Sequence, residues 1–186
     1  MWWEALLAAF GLVLLAELGD KTQIVVLTLS AKHGFRRVFL GAAAAFLILN
    51  AIAVSVGVIF YEFVPHKALK YIVSGIFIIA GVVSLWPRKA EEQQTKRFQR
   101  LRNPLLATFL LICLMELGDK TQLAMVALTA KFNQPIFVFI GGTLALWADT
   151  LMGALIGKWI GGRISQAWIH RVSGVIFLAI GIINLF

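Results

Sequence analysis

The seven residues Glu-Leu-Gly-Asp-Lys-Thr-Gln occur twice in this chain, at positions 17–23 and again 99 positions later at 116–122. Each copy lies inside a long apolar stretch. Seven identical residues in a row do not recur by accident in an otherwise apolar sequence, and the likeness continues beyond them. Leu29, Ala31 and Lys32 correspond to Leu128, Ala130 and Lys131; past Pro135 the offset is 100, pairing Gly41 with Gly141 and Gly57 with Gly157; Ser74-Gly75 corresponds to Ser173-Gly174. The chain therefore reads as two copies of one unit, and any fold it adopts must accommodate the same polar heptad twice in apolar surroundings.

The surroundings are membrane-like. A spanning helix needs about 20 mostly apolar residues. Six stretches meet that need: 2–31, 38–61, 68–86, 104–130, 136–160 and 168–186. Soluble domains are typically ~45–50% apolar and ~25% charged, whereas this chain is 60% hydrophobic and 14% charged. That composition also excludes a disordered chain, and a single Cys excludes a disulfide scaffold. Glu4 stands where a signal peptide would carry a basic region, so the first stretch reads as a retained helix. Pro104 suits a first helical turn, and Pro65, Pro87 and Pro135 are expected in connections.

Six helices and a repeat make an all-α membrane protein of two three-helix units. Residues 1–87 form the first, 88–103 a basic linker, and 104–186 the second. Three is odd, so the second unit must enter the membrane upside down relative to the first. Many secondary transporters follow this inverted-repeat plan and place the substrate site near the midplane, where the repeats meet.

The net charge of +8 would ordinarily suggest nucleic acid as a partner; its placement argues otherwise. The loops after the first, third and fifth stretches hold Lys32, Arg36, Arg37, Arg88, Lys89, Lys96, Arg97, Arg100, Arg102, Lys158, Arg163 and Arg171. The opposite loops hold only Lys67, Lys70 and Lys131. By the positive-inside rule the first side is cytoplasmic and both termini lie outside. The lipid bilayer, not nucleic acid, is the expected surrounding of these charges. Trp2, Trp3, Trp86, Trp159 and Trp168 fall at expected interfaces, while Trp147 lies within the fifth stretch.

The heptads carry the chemistry. Ionisable groups at membrane depth are costly and by default functional. On a continuous helix Glu17 and Asp20 share a face at i,i+3 spacing, as do Glu116 and Asp119. If the units pack about a pseudo-twofold axis, four carboxylates converge. Such a cluster repels itself unless a cation or protons join it. Hard divalent cations take oxygen ligands, and carboxylate sites also suit Mn²⁺. Thr22, Gln23, Thr121 and Gln122 add neutral oxygens or orient the acids. Lys21, four residues after Glu17, and its counterpart Lys120 tether the acids or replace the metal's charge in the empty state; simple charge balance is the alternative. Asp149 is a fifth acid within a helix and a candidate for the ion path or a proton relay, otherwise a lysine partner. Asn50 lies opposite Thr150 in the repeat and reads as a helix–helix hydrogen bond more readily than as a ligand.

With these five acids against Lys21 and Lys120, a net of −3 becomes −1 on binding one divalent ion or two protons, which permits exchange. Asp20 followed by Gln23 also forms a capping-box variant just after Gly19. A helix broken at Gly19 is therefore possible, although a continuous one is the expectation favoured here. Gly153, Gly157 and Gly161 form small-xxx-small steps for close packing. His33, His66 and His170 read as surface residues, and Cys113 as a packing residue.

The two Glu-Leu-Gly-Asp-Lys-Thr segments resemble the signature pair of the Gdt-type transmembrane family, which includes Golgi and chloroplast Mn²⁺/Ca²⁺ transporters and bacterial manganese exporters. That pattern is Glu-x-Gly-Asp-(Lys/Arg)-(Thr/Ser), once per three-helix half, and both copies are intact here. The resemblance covers essentially the whole chain. It implies export of Mn²⁺, and in some members Ca²⁺, from the cytoplasm in exchange for protons, with Glu17, Asp20, Glu116 and Asp119 as cation ligands and no prosthetic group. Lacking an N-terminal targeting extension and a long central loop, the chain is similar to bacterial plasma-membrane members. A channel or importer using the same site is the alternative within transport. An intramembrane aspartyl protease built on Asp20 and Asp119 would leave the glutamates and lysines without a task.

Overall fold

The computed structural model describes residues 1–85, 103–160 and 166–186, apart from the side chains of Lys21, His66 and residues 154–160 and 166–170. These residues form eight helices: α1 (Trp2–Glu17), α2 (Lys21–His33), α3 (Phe35–Phe63), α4 (His66–Leu85), α5 (Pro104–Glu116), α6 (Lys120–Phe132), α7 (Pro135–Ile160) and α8 (Gln166–Ile183). The protein is all-helical among its described residues. The linker at 88–102, Trp86, Pro87, Gly161, Arg163 and the side chains of Lys158, Trp159, Trp168 and His170 lie outside the described residues.

Local sequence accounts for the helix ends. The Asn103 side chain accepts from the backbone N–H groups of Leu105 and Leu106, and Pro104 occupies the first turn of α5. There its missing N–H costs nothing. Gly34, at φ 87°, separates α2 from α3, and Pro65 follows the end of α3. Asn133, in the left-handed region at φ 49°, ends α6. Pro135 then opens α7 instead of lying in the connection where it was expected, since a first-turn proline is compatible with a helix.

The expected continuous helices are corrected by the structure. Both are broken, between Glu17 and Lys21 and between Glu116 and Lys120. Gly19 and Gly118 adopt φ values of 71° and 78°, which only glycine takes at little cost. The preceding Leu18 and Leu117 have ψ near 120° and 114°, already outside helical space. The turns close with Asp20 N–H donating to the Glu17 carbonyl at 2.9 Å and Asp119 N–H to the Glu116 carbonyl at 3.1 Å. Glu17 and Asp20 therefore do not share one helix face; each glutamate ends one half-helix and each aspartate precedes the next. The first pair of half-helices meets at 73°.

The breaks also change the span count. Three described helices are long and apolar enough to cross a membrane, Phe35–Phe63, Lys67–Leu85 and Pro135–Gly153, and α1 with α2 makes a fourth if the bent pair is one span. Pro104–Glu116 and Arg171–Ile183 are apolar but shorter. The half-helices fall below the ~20 residues a straight crossing needs because a polar heptad interrupts each apolar stretch.

Packing between the halves is reciprocal. Helix α1 packs on α7 and α5 on α3; α2 packs on α7 and α6 on α3; α4 lies along α8, and α3 along α7. Glycines set the close approaches. Gly41 abuts the Leu105 carbonyl and Thr108, and Gly141 abuts the Leu6 carbonyl and Ala9, residues at equivalent places in the other copy. Gly81 and Gly174 face each other where α4 and α8 cross, and Phe77 stacks on Phe177 with centroids 6.2 Å apart. Lipid gives helices no hydrophobic reason to associate, so tight packing at small residues carries the assembly.

Candidate ion site at the broken helices

Glu17, Asp20, Glu116, Asp119, Lys120, Thr22 and Thr121 are all buried, none more than 3% exposed. An isolated ionised group pays heavily for such burial, so its partners are informative. Here they come from the opposite half. The Thr22 hydroxyl donates to Glu116 Oε1, and the Thr121 hydroxyl donates to Glu17 Oε1. These two bonds are the same interaction made twice, once in each direction across the repeat. Lys120 Nζ donates to Asp20 Oδ2 at 2.6 Å, both groups fully enclosed. The equivalent contact from Lys21 lies outside the described side chains.

The half-helix starts hold the acids in place. Asp119 caps α6, its Oδ1 accepting from the Lys120 backbone N–H at 2.7 Å. In the other half the Gln23 side chain reaches back to the Gly19 N–H at 3.1 Å. This fulfils the capping-box expectation in modified form, with the bond landing one residue before the aspartate.

Gln23 also donates to the Asp149 carboxylate. Asp149 is 4% exposed, so α7 adds a fifth acid to the cluster. Gly153, one turn on, leaves room for Gln23: a Cβ there would lie 3.0 Å from Gln23 Cγ. This assigns Gly153 to internal packing. Asn50 Nδ2 donates to Thr143 Oγ1 at 3.0 Å, the expected helix–helix bond. Gln122 is buried on α6. Cys113 is half-buried.

The acids form one electrostatic group. Glu17 lies within range of Lys120, Asp20 and Asp119; Glu116 within range of Glu17, Asp119 and Asp20; Asp149 within range of Glu17, Asp20 and Lys120. They do not close on one point: among the described residues no three His, Cys, Asp or Glu side chains are placed to hold a metal ion. The arrangement is instead a buried acidic cluster in which Glu17 and Glu116 accept from hydroxyls, and Asp20 from an ammonium, of the opposite half. Such a cluster can exchange those donors for a cation or for protons. The cross-half pairing had no signal in local spacing, which speaks only within one half. The aspartyl-dyad arrangement finds no support in the position of Asp20, which faces an ammonium.

A family model described as "Divalent cation/proton antiporter GDT1" matches residues 5–92 and 104–186, both halves of the chain. Among curated relatives, the chain is 26% identical to "GDT1-like protein sll0615" of Synechocystis, covering 97% of this chain and 96% of the relative. It is 29% identical to the Vibrio cholerae protein named "Putative manganese exporter", over 94% of this chain and 86% of that protein. It is 26% identical to "GDT1-like protein 3" of Arabidopsis thaliana, over 98% and 71%. No solved structure matches the chain.

Proposed function

The chain belongs to the GDT1 family of divalent cation/proton antiporters, and from that premise we propose that it exports Mn²⁺, with Ca²⁺ as a second substrate, from the cytoplasm in exchange for protons. It is a multi-pass membrane protein and a transporter rather than an enzyme; divalent cations and protons are the species its family moves. The finer proposal rests above all on the crossed pair Thr22–Glu116 and Thr121–Glu17. Each half holds the other's glutamate, so any rocking of one half against the other alters both bonds together.

The ligands are Glu17, Asp20, Glu116 and Asp119, with Thr22, Thr121 and Gln122 as supporting oxygens. In the state described here the Lys120 ammonium occupies Asp20 and stands in for the cation. A divalent ion entering the cluster displaces it, because the ion satisfies several carboxylates where the ammonium satisfies one. We propose the equivalent part for Lys21 from its matching place in the repeat alone. Asp149, reached through Gln23, is the proton-coupling acid: it touches the site through a neutral amide, and its counterpart at the offset of 100, Leu49, is not an acid. The six apolar stretches form two inverted units, 1–87 and 104–186, joined by the linker 88–103. The basic loops favour a cytoplasmic linker in a bacterial cell with both termini outside, and in this reading the half-helices meet near the midplane in the manner of alternating-access carriers.

Purified protein in proteoliposomes under an imposed pH gradient tests this. Mn²⁺ movement is followed with an indicator for the wild type, Glu17→Gln and Asp119→Asn. Transport driven by the gradient and lost in both variants is expected. Unchanged transport in the variants would remove the site assignment, and Mn²⁺ flux that ignores the gradient would leave a channel in place of an antiporter.

A further inference from the structure

Away from the acidic cluster, a cavity of about 240 Å³ opens where α3 ends, α4 begins, and α6 meets the chain's last residues. Its floor is apolar and buried, formed in part by Leu69 and Val73. Its rim is polar and carries Lys70, Lys131, Tyr61 and Asn184. Asn184 Nδ2 donates to Ser74 Oγ at 3.0 Å and to the Lys70 carbonyl at 3.5 Å, tying the chain's end to α4 at the cavity's edge. Among the described residues no acid lines the cavity. Among the described residues neither Lys70 nor Lys131 has an ion-pair partner; the Lys131 ammonium stands 6.0 Å from the Phe132 ring.

Basic residues are scarce on this side of the protein. Lys67, Lys70 and Lys131 are the basic residues in its loops, and two of them meet at one cavity. Two ammonium groups there repel each other unless an anion lies between them. The cavity sits at the ends of membrane-crossing helices, which is headgroup depth. Phe63, Tyr71 and Ile183 are exposed nearby, as lipid-facing residues are. Basic pockets between membrane helices suit anionic headgroups over an apolar floor.

We propose that this cavity is a binding site for one anionic phospholipid, its phosphate held by Lys70 and Lys131 and its glycerol and first acyl carbons resting on Leu69 and Val73. A pair of ammonium groups repels a divalent cation, so the cavity lies off the ion's path and the proposal does not depend on the transport mechanism.

The test is native mass spectrometry of the purified protein titrated with phosphatidylglycerol or with phosphatidylcholine. The wild type is expected to retain one phosphatidylglycerol tightly and phosphatidylcholine weakly. Removing two interfacial lysine charges, in Lys70→Gln with Lys131→Gln, is expected to raise the lipid concentration needed by about thirty-fold. Lys70→Arg with Lys131→Arg keeps retention, and both lysines are exposed, so the Gln pair melts like the wild type in neutral lipid. Equal retention by wild type and the Gln pair, or equal retention of the two lipids, overturns the proposal. Displacement of the lipid by excess inorganic phosphate reassigns the site to a free anion and likewise overturns it.

Discussion

Replacing Lys120 with Met should destabilise the protein strongly, and replacing its partner as well should restore most of the loss. Lys120 Nζ lies 2.6 Å from Asp20 Oδ2, with the two side chains 3% and 4% exposed. The pair therefore cannot be treated as a surface salt bridge, whose worth is only about 0–1 kcal/mol. Removing one member of a buried pair leaves the other charge enclosed without compensation, at a cost of about 3–5 kcal/mol. Lys120 also acts on Glu17 and Asp119, which places the single variant toward the upper end. Replacing both members with neutral groups is often close to neutral, since the desolvation cost of each charge disappears with its attraction. Asp20→Asn with Lys120→Met should therefore lie within about 1–2 kcal/mol of the wild type, short of full recovery because Glu17 and Asp119 have lost the same ammonium. The assay is equilibrium denaturant unfolding of purified protein in one detergent, followed by tryptophan fluorescence, for the wild type, both single variants and the double. A bound ion stabilises by RT ln(1 + [L]/Kd), so Mn²⁺ should stabilise Lys120→Met more than the wild type, where it must first displace the ammonium. If Lys120→Met unfolds within about 1 kcal/mol of the wild type, or the double variant is no better than the single, the ammonium is not holding the acids and its stand-in role fails.

The glycine seams give a second set of outcomes, read as melting temperatures in one detergent. A methyl at Gly41 would overlap the Leu105 carbonyl and stand 3.2 Å from the Phe109 nitrogen, so Gly41→Ala should cost about 1–3 kcal/mol, and Gly141→Ala, facing the Leu6 carbonyl, the same. Gly11→Ala meets nothing within 4 Å and should be neutral or stabilising by up to about 1 kcal/mol; equal melting of all three variants refutes the seam. Gly118→Ala also meets nothing within 4 Å, yet its φ is +78°. It should cost about 1–2 kcal/mol through the backbone alone, with Gly118→Asn costing less; an unchanged melting temperature for Gly118→Ala would mean that the break does not need the left-handed turn.

The repeat made much of this molecule legible before any coordinates. Gly41 and Gly141, which the repeat aligns, make equivalent close approaches in the structure. The acids Glu17, Asp20, Glu116, Asp119 and Asp149 were picked out by depth alone, and all are buried. What escaped was the conformation of the motif. The i,i+3 spacing of Glu17 and Asp20, and of Glu116 and Asp119, suits a continuous helix, in which Gly19 and Gly118 cost only about 1 kcal/mol. The aspartate and glutamine that follow tip the balance by supplying caps: Asp119 takes the Lys120 N–H, and Gln23 takes the Gly19 N–H. Periodicity measures which face is apolar and is silent on where backbone groups find partners.

The break has a consequence that a continuous helix would not. On one helix, Glu17 and Asp20 would ride together on a rigid face, and Glu116 with Asp119 on another. Any motion would carry both acids of a half as a unit. With the chain turned at Gly19 and Gly118, the glutamate belongs to the half-helix before the turn and the aspartate to the one after it. Helix α1 packs on α7 while α6 packs on α3. Glu17 is thereby carried on the element seated against α7, and its hydroxyl donor Thr121 on the element seated against α3. Were α1 and α2 to move with α7, and α5 and α6 with α3, the Thr121–Glu17 and Thr22–Glu116 bonds would stretch together. Two hydroxyl–carboxylate bonds thus respond to one displacement. Breaking both leaves two buried glutamates needing a new partner at once, a demand that one divalent ion or two protons would each meet.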